Sequence, residues 1–183
     1  DIMEVHADEI PESDWWCAGS PCQGFSVAGA RRGLADARSG LLGRWVALVA
    51  ERRPGGLLLE NVPGILISRL ADGRLVRDII ENEFKKLGYK IEHRKLNSAD
   101  YGVPETRKRV IFIGTRTKKP IFYPKLTHSN KFRMNVALEK IEPWVPVKEI
   151  LLPKDKVDRK FFHTPRMIEG FKKRKASNER NGK

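Results

Sequence analysis

The chain has 183 residues, of which 40% are hydrophobic and 32% charged, and a formal net charge of +13. This length is enough for one domain with a buried core and for the start of a second domain. Every apolar run is shorter than the ~18–20 residues of a bilayer-spanning helix, and the acidic start is unlike a signal peptide. The composition therefore argues against membrane and secreted proteins and favours a globular cytoplasmic one.

The charge is distributed unevenly along the chain. Residues 1–30 hold six acidic residues and no Lys or Arg, whereas residues 151–183 hold eleven Lys or Arg and four acidic residues. This asymmetry predicts a polyanionic partner that binds mainly the C-terminal part. A solvated basic tail is the alternative interpretation.

The sequence has two cysteines, Cys17 and Cys22, which are too few for a disulfide-stapled scaffold. Their spacing lacks the second pair of Cys or His ligands that a zinc site needs nearby. A single local disulfide is the other option, but the composition favours a reduced thiol at Cys22.

The first predicted strand is "DWWCAG", Asp14–Gly19, an apolar run that ends at a Gly-Ser-Pro sequence. The glycine-rich stretch from Gln23 to Gly40 predicts a functional loop. In "LLGRWVALVAERR", Leu41–Arg53, the apolar residues recur with helical spacing, and "PGG" ends the predicted helix.

The second half of the predicted sheet begins with the apolar run Leu57–Leu59, which is typical of a buried parallel strand. An amphipathic helix over Gly73–Tyr89 and strands over Lys90–Leu96 and Arg109–Gly114 follow. This order predicts an α/β fold whose sheet is mainly parallel with an antiparallel end. The final "GFKKRKASNERNGK" predicts a basic segment with little regular structure.

Reactive side chains follow the first two predicted strands. Cys22 comes just after the first, and Glu60 and Asn61 end the second. Because ligands of parallel α/β sheets bind beyond the carboxyl ends of the strands, a thiol and a carboxylate could converge on one substrate. The structural alternatives are a buried inert cysteine and a capping or ion-paired glutamate. The loop position of Cys22, and the cost of burying Glu60 without a partner, favour function.

Three motifs in this order resemble those of the DNA (cytosine-5) methyltransferases: "GSPCQGFSVAG", "LLLENVPG" and "LNSADYGVPETRKRVIFIG". The resemblance covers roughly residues 1–150 and implies a doubly wound, mostly parallel, Rossmann-like sheet that is incomplete in its N-terminal half. The later "PWVPVKEIL" and "RKFFHTPRMIEGFKKRK" resemble the entry into the target-recognition domain of that family. The implied division is a catalytic part over residues 1–145 and a second part over residues 146–183.

The resemblance implies a role for each matching residue. Cys22 is similar to the nucleophile that attacks C6 of cytosine, and Glu60 to the acid that hydrogen-bonds N3 and the exocyclic amine. Arg107 and Arg109 are similar to the pair that orients the base and that carboxylate, and Asn61 to a residue that fixes the strand end. The implied S-adenosylmethionine contacts are Asp1 and Pro21, and the implied DNA contacts are Gln23, Ser26, Arg31, Arg32 and Arg38.

The resemblance implies that the partner is double-stranded DNA and that the protein acts in the cytoplasm of a prokaryote, associated with the nucleoid. The implied role is in a restriction-modification system or in regulation. Glu105 stands where the family usually has glutamine. The family's glycine-rich cofactor turn is not found in the sequence, so we expect that residues 1–183 alone do not methylate DNA. We also expect that the sheet has an unpaired edge. The alternatives are a non-catalytic DNA-binding remnant and one subunit of a split enzyme with a second chain. A thiol oxidoreductase is disfavoured because it favours a tighter Cys-x-x-Cys spacing.

Overall fold

A computed structural model of the protein describes residues 1–19, 40–70, 72–130 and 141–180. The chain divides into two compact units, Asp1–Val145 and Pro146–Lys183. The first unit contains the mixed α/β sheet, and the second contains the longest helix.

The sheet of the first unit has four strands in the order β1-β2-β4-β3: β1 Trp15–Gly19, β2 Gly56–Asn61, β3 Lys90–Asn97 and β4 Lys108–Thr115. Strand β1 pairs with β2 in parallel, whereas β4 pairs antiparallel with both β2 and β3. Three of the four strands therefore point the same way and only β4 is reversed. The predicted α/β fold, mostly parallel with an antiparallel end, is confirmed.

Two helices pack on one face of this sheet, α1 Leu41–Arg52 and α2 Val76–Lys86. Each buries an apolar stripe with helical spacing, as the sequence predicts. The helices meet where the rings of Trp45 and Phe84 pack edge to face, with centroids 5.5 Å apart. Burial of a side chain such as Phe84 contributes about 1.5–3 kcal/mol to folding.

The strands show which face the helices cover. Leu57 and Leu59 of β2, and Val110 and Phe112 of β4, are fully buried beneath them. Glu60 is half-buried and alternates with these residues, so it lies on the opposite face. The sheet thus has a core face and a second face that carries polar side chains.

The chain after β4 crosses back over the sheet and forms a small parallel pair, β5 His128–Ser129 with β6 Glu142–Pro143. The hydroxyl of Tyr123 lies 3.0 Å from the carbonyl oxygens of both Glu92 and Ile111, to which its single proton can donate. The guanidinium of Arg94 lies over the ring of Tyr123, 4.6 Å from its centroid. Residues 123–129 and 142–144 are called the strap below.

The second unit contains helix α3, Pro165–Arg180. The prediction that the basic C-terminal stretch has little regular structure was therefore wrong. The side chains of Met167, Ile168 and Phe171 recur with helical spacing, and the rings of Phe171 and His163 pack edge to face. None of the described helices combines the length and hydropathy that a membrane crossing requires.

Candidate active site

The carboxyl end of β2 and the start of β4 lie at the same edge of the sheet because β4 runs antiparallel to β2. Glu60 pairs with Ile111. Arg109 is two residues before Ile111, so its side chain lies on the same face as that of Glu60. The reversal of β4 thus places a cation from the start of one strand beside a carboxylate from the end of its neighbour.

The resulting contact is short. Nε of Arg109 lies 2.6 Å from Oε1 of Glu60, and Nη2 of Arg107 lies 4.0 Å from the same oxygen. The side chains of Glu60 and Arg109 are 35% and 25% exposed, so an incoming molecule can still reach them. An ion pair with this exposure contributes only about 0–1 kcal/mol to stability, so stability alone does not explain the pairing.

The other carboxylate oxygen of Glu60 is directed toward strand β1. Gly19 is the β1 residue that pairs with Glu60, and a Cβ added to Gly19 would lie 3.6 Å from Oε2. Within the described parts of the chain, no donor forms a hydrogen bond to Oε2. Among the described residues, arginine thus holds one oxygen of Glu60, and the other accepts no hydrogen bond.

The loop between β3 and β4 positions the two arginines. The amide of Ser98 donates to the carbonyl of Arg107, with an N–O distance of 3.1 Å. The hydroxyl of Ser98 donates to the carbonyl of Glu105 and accepts a hydrogen bond from the amide of Arg107, at 2.5 and 3.1 Å. Three hydrogen bonds thus close the chain just before Arg107.

Asn61, which follows Glu60, is 1% exposed. Its side-chain oxygen accepts a hydrogen bond from the amide of Val62, at 2.9 Å. The bond caps the chain where β2 ends, in agreement with the role expected for Asn61 at the strand end.

Asp1 lies in an N-terminal turn of its own. Its Oδ1 accepts a hydrogen bond from the amide of Met3 at 3.0 Å, and the side chain is exposed. Asp1 makes no hydrogen bond or ion pair with Glu60, Arg107 or Arg109, all of which are described. The structure thus brings together three of the predicted catalytic residues, and Asp1 is not bonded to any of them.

The remaining predicted site residues lie outside the described residues: Pro21, Cys22, Gln23, Ser26, Arg31, Arg32 and Arg38. The predictions for them rest on sequence. Cys17, the other cysteine, is exposed on β1 and carries a free thiol.

Glu105 is exposed, and its backbone, rather than its carboxylate, takes part in the loop. The carbonyl of Glu105 accepts the Ser98 hydrogen bond described above, and its amide donates to the carbonyl of Val103 at 2.8 Å. Because both bonds use backbone atoms, any residue type at position 105 could make them. The loop therefore accommodates glutamate where the family usually has glutamine.

The sequence of this chain matches a known protein family. The family model for C-5 cytosine-specific DNA methylases matches residues 1–183. The chain belongs to this family. The predicted family is confirmed, and the Glu60–Arg109 contact lies where two of the motifs that carried the prediction meet.

Two relatives are type II methyltransferases. The chain is similar to M.FnuDI of Fusobacterium nucleatum, with 40% identity over 116 residues, 63% of this chain and 33% of the relative. It is also similar to M.DsaV of Dactylococcopsis salina, with 31% identity over 182 residues, 100% of this chain and 48% of the relative. The chain thus spans less than half the length of these two relatives.

Solved structures show the same fold. A DNA modification methyltransferase encoded within an E. coli prophage has a TM-score of 0.54 and 27% identity, covering 84% of this chain and 41% of its own. A mutant of Spodoptera frugiperda DNMT2 has a TM-score of 0.58 and 20% identity, covering 94% of this chain and 49% of its own. These likenesses confirm the Rossmann-like methyltransferase fold.

Sequence reasoning missed several residues around the site. Ser98 and Asp100 lie inside a motif that pointed to the family, yet no role was predicted for them. Trp144 lies in the later motif "PWVPVKEIL", also without a predicted role, and its Nε1 donates a hydrogen bond to Oδ1 of Asp100 at 2.9 Å. The two residues are 44 positions apart in the sequence, so this contact is visible only in the folded chain.

Proposed function

We propose that this chain carries the catalytic part of an enzyme that transfers a methyl group to C5 of a cytosine in DNA. The observation that carries the proposal is the Glu60–Arg109 contact in a chain of the C-5 cytosine-specific DNA methylase family. The relatives M.FnuDI and M.DsaV are type II methyltransferases, which supports methyl transfer.

The position of Cys22 in the sequence fits this proposal. Cys22 follows Gly19 by three residues, a length of chain that spans at most about 10 Å. Gly19 is paired with Glu60 on the adjacent strand, about 5 Å away. A cytosine ring held by Glu60 is therefore within the distance that the Cys22 thiol can reach.

The proposed chemistry uses these groups in sequence. The Cys22 thiolate attacks C6 of cytosine, and the electron pair of the C5–C6 double bond moves to C5. C5 then takes the methyl group, its proton leaves to a base, and the C6–sulfur bond breaks to release the thiolate. Cytosine in a duplex is stacked, so the base must first be flipped out at a cost of a few kcal/mol.

Glu60 and the two arginines have separate roles in this proposal. The Glu60 oxygen that faces Gly19 accepts a hydrogen bond from the exocyclic amine and shares a proton with N3, which stabilises the negative charge that develops on the ring. Arg109 fixes the other oxygen of Glu60, and Arg107 lies where it can orient the base. A carboxylate that is already oriented loses little entropy when the substrate binds.

S-adenosylmethionine supplies the methyl group when bound. Among the residues assigned to it, Asp1 fits the expected chemistry, because its exposed carboxylate can accept a hydrogen bond from an adenine amine. Pro21 and the DNA contacts Gln23, Ser26, Arg31, Arg32 and Arg38 keep the roles that the family resemblance assigns to them. We also assign residues 146–183 to the entry into a target-recognition domain.

The test is a covalent trap with duplex DNA that contains 5-fluorocytosine, in the presence of S-adenosylmethionine. Fluorine cannot leave C5 as a proton does, so the adduct persists on a denaturing gel. We expect an adduct with the intact enzyme, none with Cys22→Ala, and an undiminished adduct with Cys17→Ala. Absence of any adduct, with DNA binding retained, would favour a non-catalytic DNA-binding protein.

The chain covers 33% of M.FnuDI and 48% of M.DsaV, and we propose that residues 1–183 alone do not methylate DNA. The isolated chain should incorporate no more methyl groups than its Cys22→Ala variant. Incorporation above that control would overturn this part of the proposal. The participation of a second chain stays a prediction, and adding a candidate complement to the same assay tests it.

A further inference from the structure

The short turn that precedes the two arginines is held on its outer side by the strap. This 3₁₀ turn, Ser98–Tyr101, follows β3. The amide of Thr127 donates to the carbonyl of Asp100 at 3.1 Å, and the indole Nε1 of Trp144 donates to Oδ1 of Asp100 at 2.9 Å. Asp100 therefore receives one hydrogen bond on its backbone and one on its side chain from different parts of the strap.

The strap is itself a connected unit. The amide of Glu142 donates to the carbonyl of Thr127, and the amide of Trp144 donates to the carbonyl of Ser129, each at 3.0 Å. The indole of Trp144 is thus presented to Asp100 by a chain that is hydrogen-bonded to its neighbours. Displacement of the indole would disturb this pairing as well as the bond to the carboxylate.

The turn lies close against the strap at Gly102. Gly102 ends the turn with a φ of 83°, which disfavours side chains, and a Cβ there would lie 2.8 Å from Cε1 of His128. The close approach of His128 to Gly102 and the two hydrogen bonds to Asp100, all made by the strap, fix the position of the turn. The same turn begins at Ser98, which binds Arg107 and Glu105 on the site side.

We infer that Asp100, together with Trp144, is a positioning residue for the Glu60–Arg107–Arg109 cluster. Asp100 forms no hydrogen bond or ion pair with these three described residues and acts through the Ser98–Tyr101 turn, whose first residue, Ser98, is hydrogen-bonded to Arg107. The inference rests on the proposed function, because it assigns Asp100 an effect on the rate of methyl transfer. A hydrogen bond to a carboxylate is stronger than one between neutral groups, which suits it to this task.

The experiment compares variants of the strap in the active enzyme that contains this chain. Trp144→Phe removes the Nε1 donor and keeps an aromatic ring, and Asp100→Leu removes the acceptor. Each should lower kcat about tenfold and leave KM for DNA within a factor of about two, because the site remains present but less well oriented. Asp100→Asn keeps an oxygen that accepts the indole proton and should restore most of kcat.

Tyr123→Phe is the matched control. It also removes one donor from the strap, but that donor binds the middle of β3 and β4 rather than the turn. It should lower the melting temperature and leave kcat unchanged. Equal losses of kcat in Tyr123→Phe and Trp144→Phe would show that Asp100 has only a structural role, and would overturn the inference.

Two further outcomes separate the inference from the proposed function. If Cys22→Ala is inactive while Asp100→Leu keeps its full kcat, the inference fails and the function stands. If Cys22→Ala retains full activity, the proposed function fails, and the inference fails with it. A second readout uses the isolated chain of residues 1–183 and measures the rate of hydrogen exchange at the amide of Arg107. This rate should rise about tenfold in Asp100→Leu, whereas the exchange rate at the amide of Phe112 should not change.

Discussion

Arg109 holds Glu60 from the diagonal position on the neighbouring strand, with Nε and Oε1 2.6 Å apart. Glu60 is directly paired with Ile111, so the ion pair spans two residues of register along antiparallel strands. A one-residue slip of β4 would turn Arg109 to the core face and break the contact. The site therefore depends on the register between β2 and β4.

The geometry predicts that Arg109→Lys lowers kcat about 100-fold, since lysine keeps the charge but lacks the planar guanidinium that fixes the carboxylate. The melting temperature should change little, because the pair is partly exposed. Methyl incorporation and thermal unfolding measure the two effects. The control is Lys108→Gln, which changes a neighbouring residue on the opposite face. A loss of activity in Lys108→Gln equal to that in Arg109→Lys would contradict the prediction.

Two glycines in the sheet should differ in their tolerance of a methyl group. A Cβ at Gly114 would lie 2.8 Å from Leu57, which is fully buried and cannot move aside. A Cβ at Gly56 would lie 2.6 Å from the ring of Trp15, which is 55% exposed on the edge strand and can rotate outward.

Gly114→Ala should therefore lower the free energy of unfolding by about 1–3 kcal/mol, whereas Gly56→Ala should cost less. Urea denaturation measures both, and Trp15→Ala combined with Gly56→Ala should show no clash. An equal loss of stability in both glycine variants would show that neither neighbour can adjust.

Tyr123 predicts a pH dependence of stability. Burial, with the negative charge of Glu92 as a second cause, raises the pKa of Tyr123 to about 12, above its ordinary value of about 10. Because the folded state favours the protonated hydroxyl, its contribution to stability is fully present below pH ~10 and is lost as the pH rises toward ~12. The protein should therefore lose stability over this range.

In Tyr123→Phe this loss should be smaller, although not absent, because burial also raises the pKa values of Tyr89 and Tyr101. The measurement is urea denaturation at several pH values, with ultraviolet titration of tyrosinate as a check. A decline of the same size in both proteins would show that Tyr123 does not titrate as its surroundings require.

The sequence predicts most of the sheet because its signals are local. The apolar runs of β2 and β4 and the stripes of α1 and α2 each lie within a few residues and end at Gly or Pro. Helix α3 was missed because its many basic residues suggested a solvated tail, although Met167, Ile168 and Phe171 have helical spacing. Within the predicted segment Gly73–Tyr89, helix α2 covers Val76–Lys86 and stops at the turn of Leu87 and Gly88, where Gly88 has a φ of 82°.

The site could be predicted only in part. The Glu60–Arg109 contact joins residues that are 49 positions apart, and no periodicity in either strand indicates it. Only the resemblance to a family predicts that these two residues meet. The Trp144–Asp100 bond is not indicated in this way, because the segment that contains Trp144, "PWVPVKEIL", resembles the entry into the target-recognition domain and assigns Trp144 no role. Contacts between residues far apart in the sequence can thus be recognised only from a family resemblance or from the folded structure.

The basic helix α3 leads to the last prediction, which concerns DNA binding. Lys172 and Lys175 are exposed and three residues apart, so they lie on neighbouring positions of one helix face. If this face contacts phosphates, each lysine releases counterions, and affinity for duplex DNA falls steeply as salt rises. Lys172→Gln combined with Lys175→Gln should then reduce the slope of log K against log salt by about 1.8.

The matched control removes the same charge elsewhere. Lys85 and Lys86 of α2 are paired with Glu81 and Glu83, at 3.4 and 2.8 Å, and their replacement by glutamine also removes two positive charges. The control variant should keep the slope of the unaltered protein, measured by fluorescence anisotropy over a series of salt concentrations. An equal decrease in both variants would mean that net charge, rather than the α3 face, determines binding.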